Sequence, residues 1–160
     1  MSDVAVSDLR DLLRRWSTGV AVVTTLDRDG APVGKIANSF ASVSLNPPLV
    51  LWCVDRASTQ YDSWVSAAGY VVHVLGSGQQ RLVSVFSRRG GDKFSTVSWR
   101  PGYAGMPLLD GASARFECRM WTTVDAGDHT VLLGRVVEVA SADSPPLLVK
   151  QGQIACVEDI

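Results

Sequence analysis

The sequence predicts a mainly β protein, an antiparallel sheet most simply closed as a barrel, with a few short helices. Three observations carry this. Apolar and polar residues alternate over Ala112–Val124, which is the strand period. Turn sequences at Asp27-Arg28-Asp29-Gly30 and across Asp125–Asp128 fold neighbouring strands back as hairpins. The strands also do not alternate with helices as βαβ units, so a parallel doubly wound sheet is the losing alternative.

The first element expected is a short helix, with Ser7 as its cap and Asp8 and Asp11 suited to its positive end. Leu9, Leu12, Leu13 and Trp16 recur at i, i+3, i+4 and i+7 as one apolar stripe, and Gly19 stops it. Val20–Leu26, rich in Val and Thr, is a strand, and Ala31–Ile36 is its return. Beyond them Ser39, Ala41, Val43 and Leu45 point one way and Asn38, Phe40, Ser42 and Ser44 the other. Pro47-Pro48 ends that strand, because proline cannot donate to the ladder. Leu49–Val54 is apolar throughout and reads as a strand buried on both faces.

Ser58 is expected to cap a second helix carrying Tyr61, Trp64, Val65 and Ala68, stopped by Gly69. Tyr70–Leu75 follows as strand, Gln79–Arg89 as helix broken by Gly90-Gly91, and Arg100–Asp110 as a loop rich in Gly and Pro. In the next strand Ala112, Ala114, Phe116, Cys118 and Met120 should face the core, and Ser113, Arg115, Glu117 and Arg119 water. His129–Ala140 is its partner, and a last pair of short strands completes the chain.

At 160 residues the chain fits a single domain over 1–160, since domains average roughly 150 residues. A globule of this size buries about 70% of its unfolded surface and needs no staple. Fifteen basic against sixteen acidic residues give a net charge of −1 with no basic stripe, which argues against nucleic acid as a partner. The longest apolar runs, such as Leu49–Val54, fall far short of the ~20 residues a membrane span needs. Asp8, Arg10, Asp11, Arg14 and Arg15 break up any signal-peptide core, so a cytoplasmic protein is expected. Cys53, Cys118 and Cys156 are odd in number and widely spaced, which suits buried free thiols. With only His73 and His129 beside them, no metal site is expected.

Familiar catalytic signatures are absent. There is no Gly-x-Ser-x-Gly elbow, and Gly30–Ile36 is one residue short of a phosphate loop, with Ile36 where Ser or Thr must hold magnesium. Two segments are odder than a core requires. Lys35–Pro48 sets Asn38, Ser42 and Ser44 on one face beside small Ala37, a row of polar groups able to bind a nucleotide-like cofactor. Gly127-Asp128-His129 opens a strand with a histidine straight after a turn, where an imidazole can contact a ligand or exchange protons near neutral pH.

Together these segments resemble the short-chain flavin reductases, the small component of two-component flavin-dependent monooxygenases. The likeness also takes in Arg15–Thr25 and Gly90-Gly91-Asp92-Lys93-Phe94, and so spans nearly the whole chain. It implies a split antiparallel Greek-key β-barrel, the FMN-binding split barrel, that forms a homodimer with flavin near the subunit interface. By the same resemblance Ile36, Ala37 and Asn38 line the isoalloxazine edge. Ser42, Val43, Cys53 and Ser58 lie along the ribityl and phosphate part, Lys93-Phe94 closes the site, and His129 contacts the nicotinamide. The implied activity is hydride transfer from NADH or NADPH to FMN or FAD, which supplies reduced flavin to a separate oxygenase.

Three positions depart from the family pattern, as does the end of the chain, Val149-Lys150-Gln151-Gly152-Gln153, which lacks the aromatic and arginine residues often found there. Ile36 stands where Thr or Ser is common, His73 where Asn is usual, and Val85 in place of a common Arg. They keep open a stand-alone flavoenzyme that retains its flavin and acts on an organic substrate. A flavin-binding dimer without catalysis is the third reading.

Overall fold

The computed structural model describes residues 4–157. The chain runs α1 (Val6–Leu13), β1 (Thr18–Gly19), β2 (Ala21–Leu26), β3 (Pro32–Ala37), β4 (Ala41–Leu45), β5 (Pro48–Asp55) and α2 (Tyr61–Val65). It continues through β6 (Gly69–Val74), α3 (Gln80–Phe86), β7 (Trp99–Pro101), β8 (Pro107–Leu109), β9 (Ala114–Ala126), β10 (His129–Ser141), β11 (Leu147–Lys150) and β12 (Gln153–Cys156). Seven strands form one antiparallel sheet in the order β3-β2-β6-β9-β10-β5-β4. β1, β11 and β12 make a small second sheet, and β7 pairs with β8.

One face of the large sheet gathers Val23, Trp52, Val54, Tyr70, Val72, Cys118 and Leu132 around Trp64 of α2. Trp52 and Trp64 meet edge to face, with ring centroids 4.9 Å apart. The other side of β2 carries Val20 and Val22 into a second cluster with Leu75, Val85, Phe86 and Leu147. β2 is therefore covered on both faces. β5 is not: Val50, Trp52 and Val54 are buried, while Leu49, Leu51, Cys53 and Asp55 stay half-exposed on its other side.

Glu117 corrects the expectation that it faces water, for it is fully buried. The stretch expected as loop, Arg100–Asp110, instead forms β7, a short 3-10 turn and β8, and lies across the outer face of β6 and β9. Glu117 Oε2 accepts the Tyr103 N–H at 2.7 Å and Oε1 accepts Arg115 Nε–H at 3.1 Å. His73 binds the same layer: Nδ1 lies 3.1 Å from Val22 O, and Nε2 accepts Leu109 N–H at 3.0 Å.

The helix ends also differ from the reading of caps. α1 starts at Val6 with Ala5 before it, and α2 at Tyr61 with Gln60 before it, neither with a side-chain cap bond. Ser7 lies inside α1, and Ser58 precedes α2 by a turn. The stripe Leu9, Leu12, Leu13 and Trp16 exists but lies exposed.

Candidate functional site

α3 brings Phe86 beneath β3 at a point where only glycine fits. A Cβ on Gly34 would lie 2.7 Å from Phe86 Cδ1 and 3.0 Å from Phe94 Cζ. Phe94 stacks edge to face on Phe86 at 5.3 Å, and Asp92 Oδ1 accepts the N–H of Phe94 and Ser95 to turn the chain there. Between Phe86 and Phe94 the chain loops out over β3. Gly90 and Gly91 adopt φ of +70° and +74°, the left-handed region that glycine enters freely.

This loop and β3 enclose a cleft of about 290 Å³. Lys35, Arg88, Arg89 and Lys93 line it with positive charge, Ser58, Thr59 and Ser87 add hydroxyls, and Ile36 supplies an apolar wall. Burial pulls both lysines below the usual lysine range; the Asp55 carboxylate opposes this at Lys35, and the Lys35 charge adds to it at Lys93. Four cations and three hydroxyls in one cleft suit a phosphate-bearing ligand, since charge-assisted bonds to phosphate are about twice as strong as neutral ones.

His129 opens β10 directly after the turn at Gly127, and its side chain is 43% exposed. Its Nδ1 lies 2.7 Å from Asp128 Oδ1, and that hydrogen bond holds the Asp128 carboxyl below its ordinary range. The strand register sets His129 opposite Asp55 and Val131 opposite Cys53. Paired side chains project from the same face with Cβ atoms roughly 5 Å apart, so His129, Asp55 and Cys53 share one surface. Ser39 Oγ accepts the Cys53 N–H at 2.9 Å, which fastens the Asn38–Phe40 connection against β5 at that point. The two segments singled out in the sequence thus meet through β5. Asp55, whose carbonyl accepts the N–H of the cleft residue Ser58 at 3.0 Å, links the cleft to the histidine.

Of the residues expected at the site, Ile36, Ser58 and Lys93 line the cleft, and Cys53 and His129 occupy the adjoining face. Burial pushes the Cys53 thiol up, away from thiolate chemistry. Ala37 and Phe94 turn their side chains into the core. Asn38 is exposed and borders a smaller cleft of about 190 Å³ with Trp16, Thr18 and Val149. Ser42 and Val43 are exposed on the edge strand β4, at a register shift. Lys35, Asp55, Thr59, Ser87, Arg88 and Arg89 were not expected. The signal for two of them was the pair of arginines before Gly90-Gly91, read only as the end of a helix.

Residues 13–157 match the model of a family described as "Flavin reductase like domain". The chain is 44% identical over 128 residues to a "Probable flavin reductase" of Rhizobium meliloti (strain 1021), covering 80% of this chain and 41% of that protein. An FMN reductase (NADH) of Agrobacterium fabrum is 41% identical over 143 residues, 89% of this chain and 81% of that protein. Among solved structures, the NADH:FAD oxidoreductase of Streptomyces globisporus C-1027, in complex with NAD and FAD fragments, superposes with a TM-score of 0.88. It is 35% identical, covering 97% of this chain and 96% of that one. The chain spans less than half the length of some curated relatives, 41% of one and 44% of another.

Proposed function

Because the chain belongs to the flavin reductase like domain family, we propose that it is an NAD(P)H-dependent flavin reductase that supplies reduced FMN or FAD to a separate monooxygenase. The observation that carries this reading is the cationic cleft running up to the face shared by Asp55, Cys53 and His129. The donor set fits the cofactor. Arg88, Arg89 and Lys35 bind its phosphate, with Ser58, Thr59 and Ser87 as hydroxyl partners, and Ile36 gives its ring an apolar wall. Asp128 ties His129 Nδ1, which orients the imidazole at the rim with Nε2 left for the nicotinamide. Hydride transfer to flavin is chemistry that the bound pair supplies, while these residues bind, orient and hold charge.

Two relatives support the cosubstrates: one is named for FMN and NADH, the other for NADH and FAD. Reductase components of flavin-dependent monooxygenases among the relatives support the oxygenase partner. Of the three departures from the family pattern, His73 and Val85 lie in the packed interior, so only Ile36 alters the cleft. That leaves the retained-flavin enzyme with little support.

The large sheet reads best as the split form of a Greek-key barrel, with β3 and β4 as its edges and β2, β3, β5, β6 and β10 sharing one core. Among the described residues no helix is long and apolar enough to cross a membrane. A cytoplasmic homodimer fits the reading. Val43, Leu45, Trp121, Val137 and Val139 stand exposed on β4, β9 and β10, apolar surface that a second copy would cover. Purified protein mixed with NADH or NADPH and FMN or FAD should bleach the nicotinamide absorbance band. Absence of oxidation with all pairings overturns the proposal.

A further inference from the structure

Lys93 lines the cationic cleft, yet most of its ammonium is already engaged. Nζ donates to Gly34 O on β3 at 3.1 Å and to Phe86 O, the last residue of α3, at 3.2 Å. An ammonium has three donors, so two are committed to the backbone. Phe86 O is one of the carbonyls that a helix end leaves without an internal partner, and a cation is favoured there by the helix dipole.

The segment that this strut closes, Ser87–Asp92, carries Arg88 and Arg89. Within it Arg89, Gly90 and Gly91 make no hydrogen bond among the described residues, and both glycines sit at positive φ. Left to itself such a turn samples many conformations, which would scatter the two guanidinium groups.

We propose that Lys93 is a positioning residue. It ties the Ser87–Asp92 turn to β3 and so holds Arg88 and Arg89 where they meet a flavin phosphate, instead of meeting the phosphate itself. This rests on the flavin reading above.

A binding cycle tests it, with FMN and with riboflavin, which lacks the phosphate, both followed by flavin fluorescence. Lys93→Met should weaken FMN by about fivefold to tenfold and riboflavin by less than about twofold, the pattern of a lost phosphate contact. Arg88→Gln/Arg89→Gln should abolish the preference for FMN. Adding Lys93→Met to that double variant should then change FMN affinity by less than about twofold, because coupled residues are non-additive. Lys93→Arg, which keeps the charge and donors, should restore FMN binding. Multiplying factors in the triple variant would overturn the proposal, as would an unchanged FMN preference in Arg88→Gln/Arg89→Gln.

A second arm needs no flavin. Trypsin cleaves after Arg88 and Arg89 when the turn opens, and its rate follows the open population. Lys93→Met should be cut there at least about fivefold faster than wild type, at matched melting temperature. Equal rates would overturn the strut. If wild type binds no flavin at all, the functional reading fails while this arm still decides the role of Lys93.

Discussion

The two histidines are held in opposite ways. His73 is buried with Nδ1 directed to Val22 O and Nε2 accepting from Leu109 N–H, so its ring is neutral. Burial lowers its pKa to about 3; the Val22 carbonyl opposes that shift, and the Arg115 charge adds to it. The folded value lies below the unfolded one, so the unfolded chain takes up a proton first as pH falls. The stability this group contributes is complete above about pH 6.5 and drains away toward pH 3, by at most about 1.4 kcal/mol per pH unit. Urea midpoints measured between pH 7 and pH 4 should fall in wild type, and His73→Gln should flatten that slope. His129, by contrast, is half-exposed and bonded only to Asp128 among the described residues. Replacing it with Ala should slow nicotinamide turnover about tenfold, the worth of one hydrogen bond to a ligand. Flavin affinity should stay within about twofold, and an equal loss of both would contradict its assignment to the nicotinamide.

Close contacts between elements shape the cleft more than any one side chain does. β3 lies on α3 at Gly34, and the same residue lends its carbonyl to Lys93. Gly34→Ala would push a methyl into the Phe86 ring. It should cost about 1–3 kcal/mol in denaturant unfolding, the range for overpacking a tight core. FMN affinity should drop with it, because the displaced Phe86 carries the arginine turn; a variant of unchanged stability would show that the contact is slack. The β7–β8 hairpin is the second such element. It converts Glu117 from a surface carboxylate into a buried acceptor, and removes one face of β6 and β9 from solvent.

At the scale of the molecule, apolar surface is left over. Leu45 of β4 is 94% and Val139 of β10 66% exposed. Large apolar patches on this scale mark interfaces, and an isologous dimer would bury them in pairs. Sedimentation should find wild type as a dimer and Val139→Asp as a folded monomer, since a new charge would face its own copy. A wild-type monomer that reduces flavin at full rate would reject the homodimer.

The positions of most strands and helices were readable from the sequence. Val and Thr over Val20–Leu26, the Asp27–Gly30 turn and the alternation after Ala112 are local patterns, and backbone sterics and turn chemistry act over a few residues. His129 and the Asn38 segment also stood out, as residues whose chemistry exceeds what a strand needs. Only the tertiary structure decided that Arg88 and Arg89 face Lys35, that Asp55 stands opposite His129, and that Glu117 is buried while one side of β5 is open. Each of these depends on which distant segment lies over a given face. A strand's own residues set its two faces, but the elements packed against them choose which one leaves water.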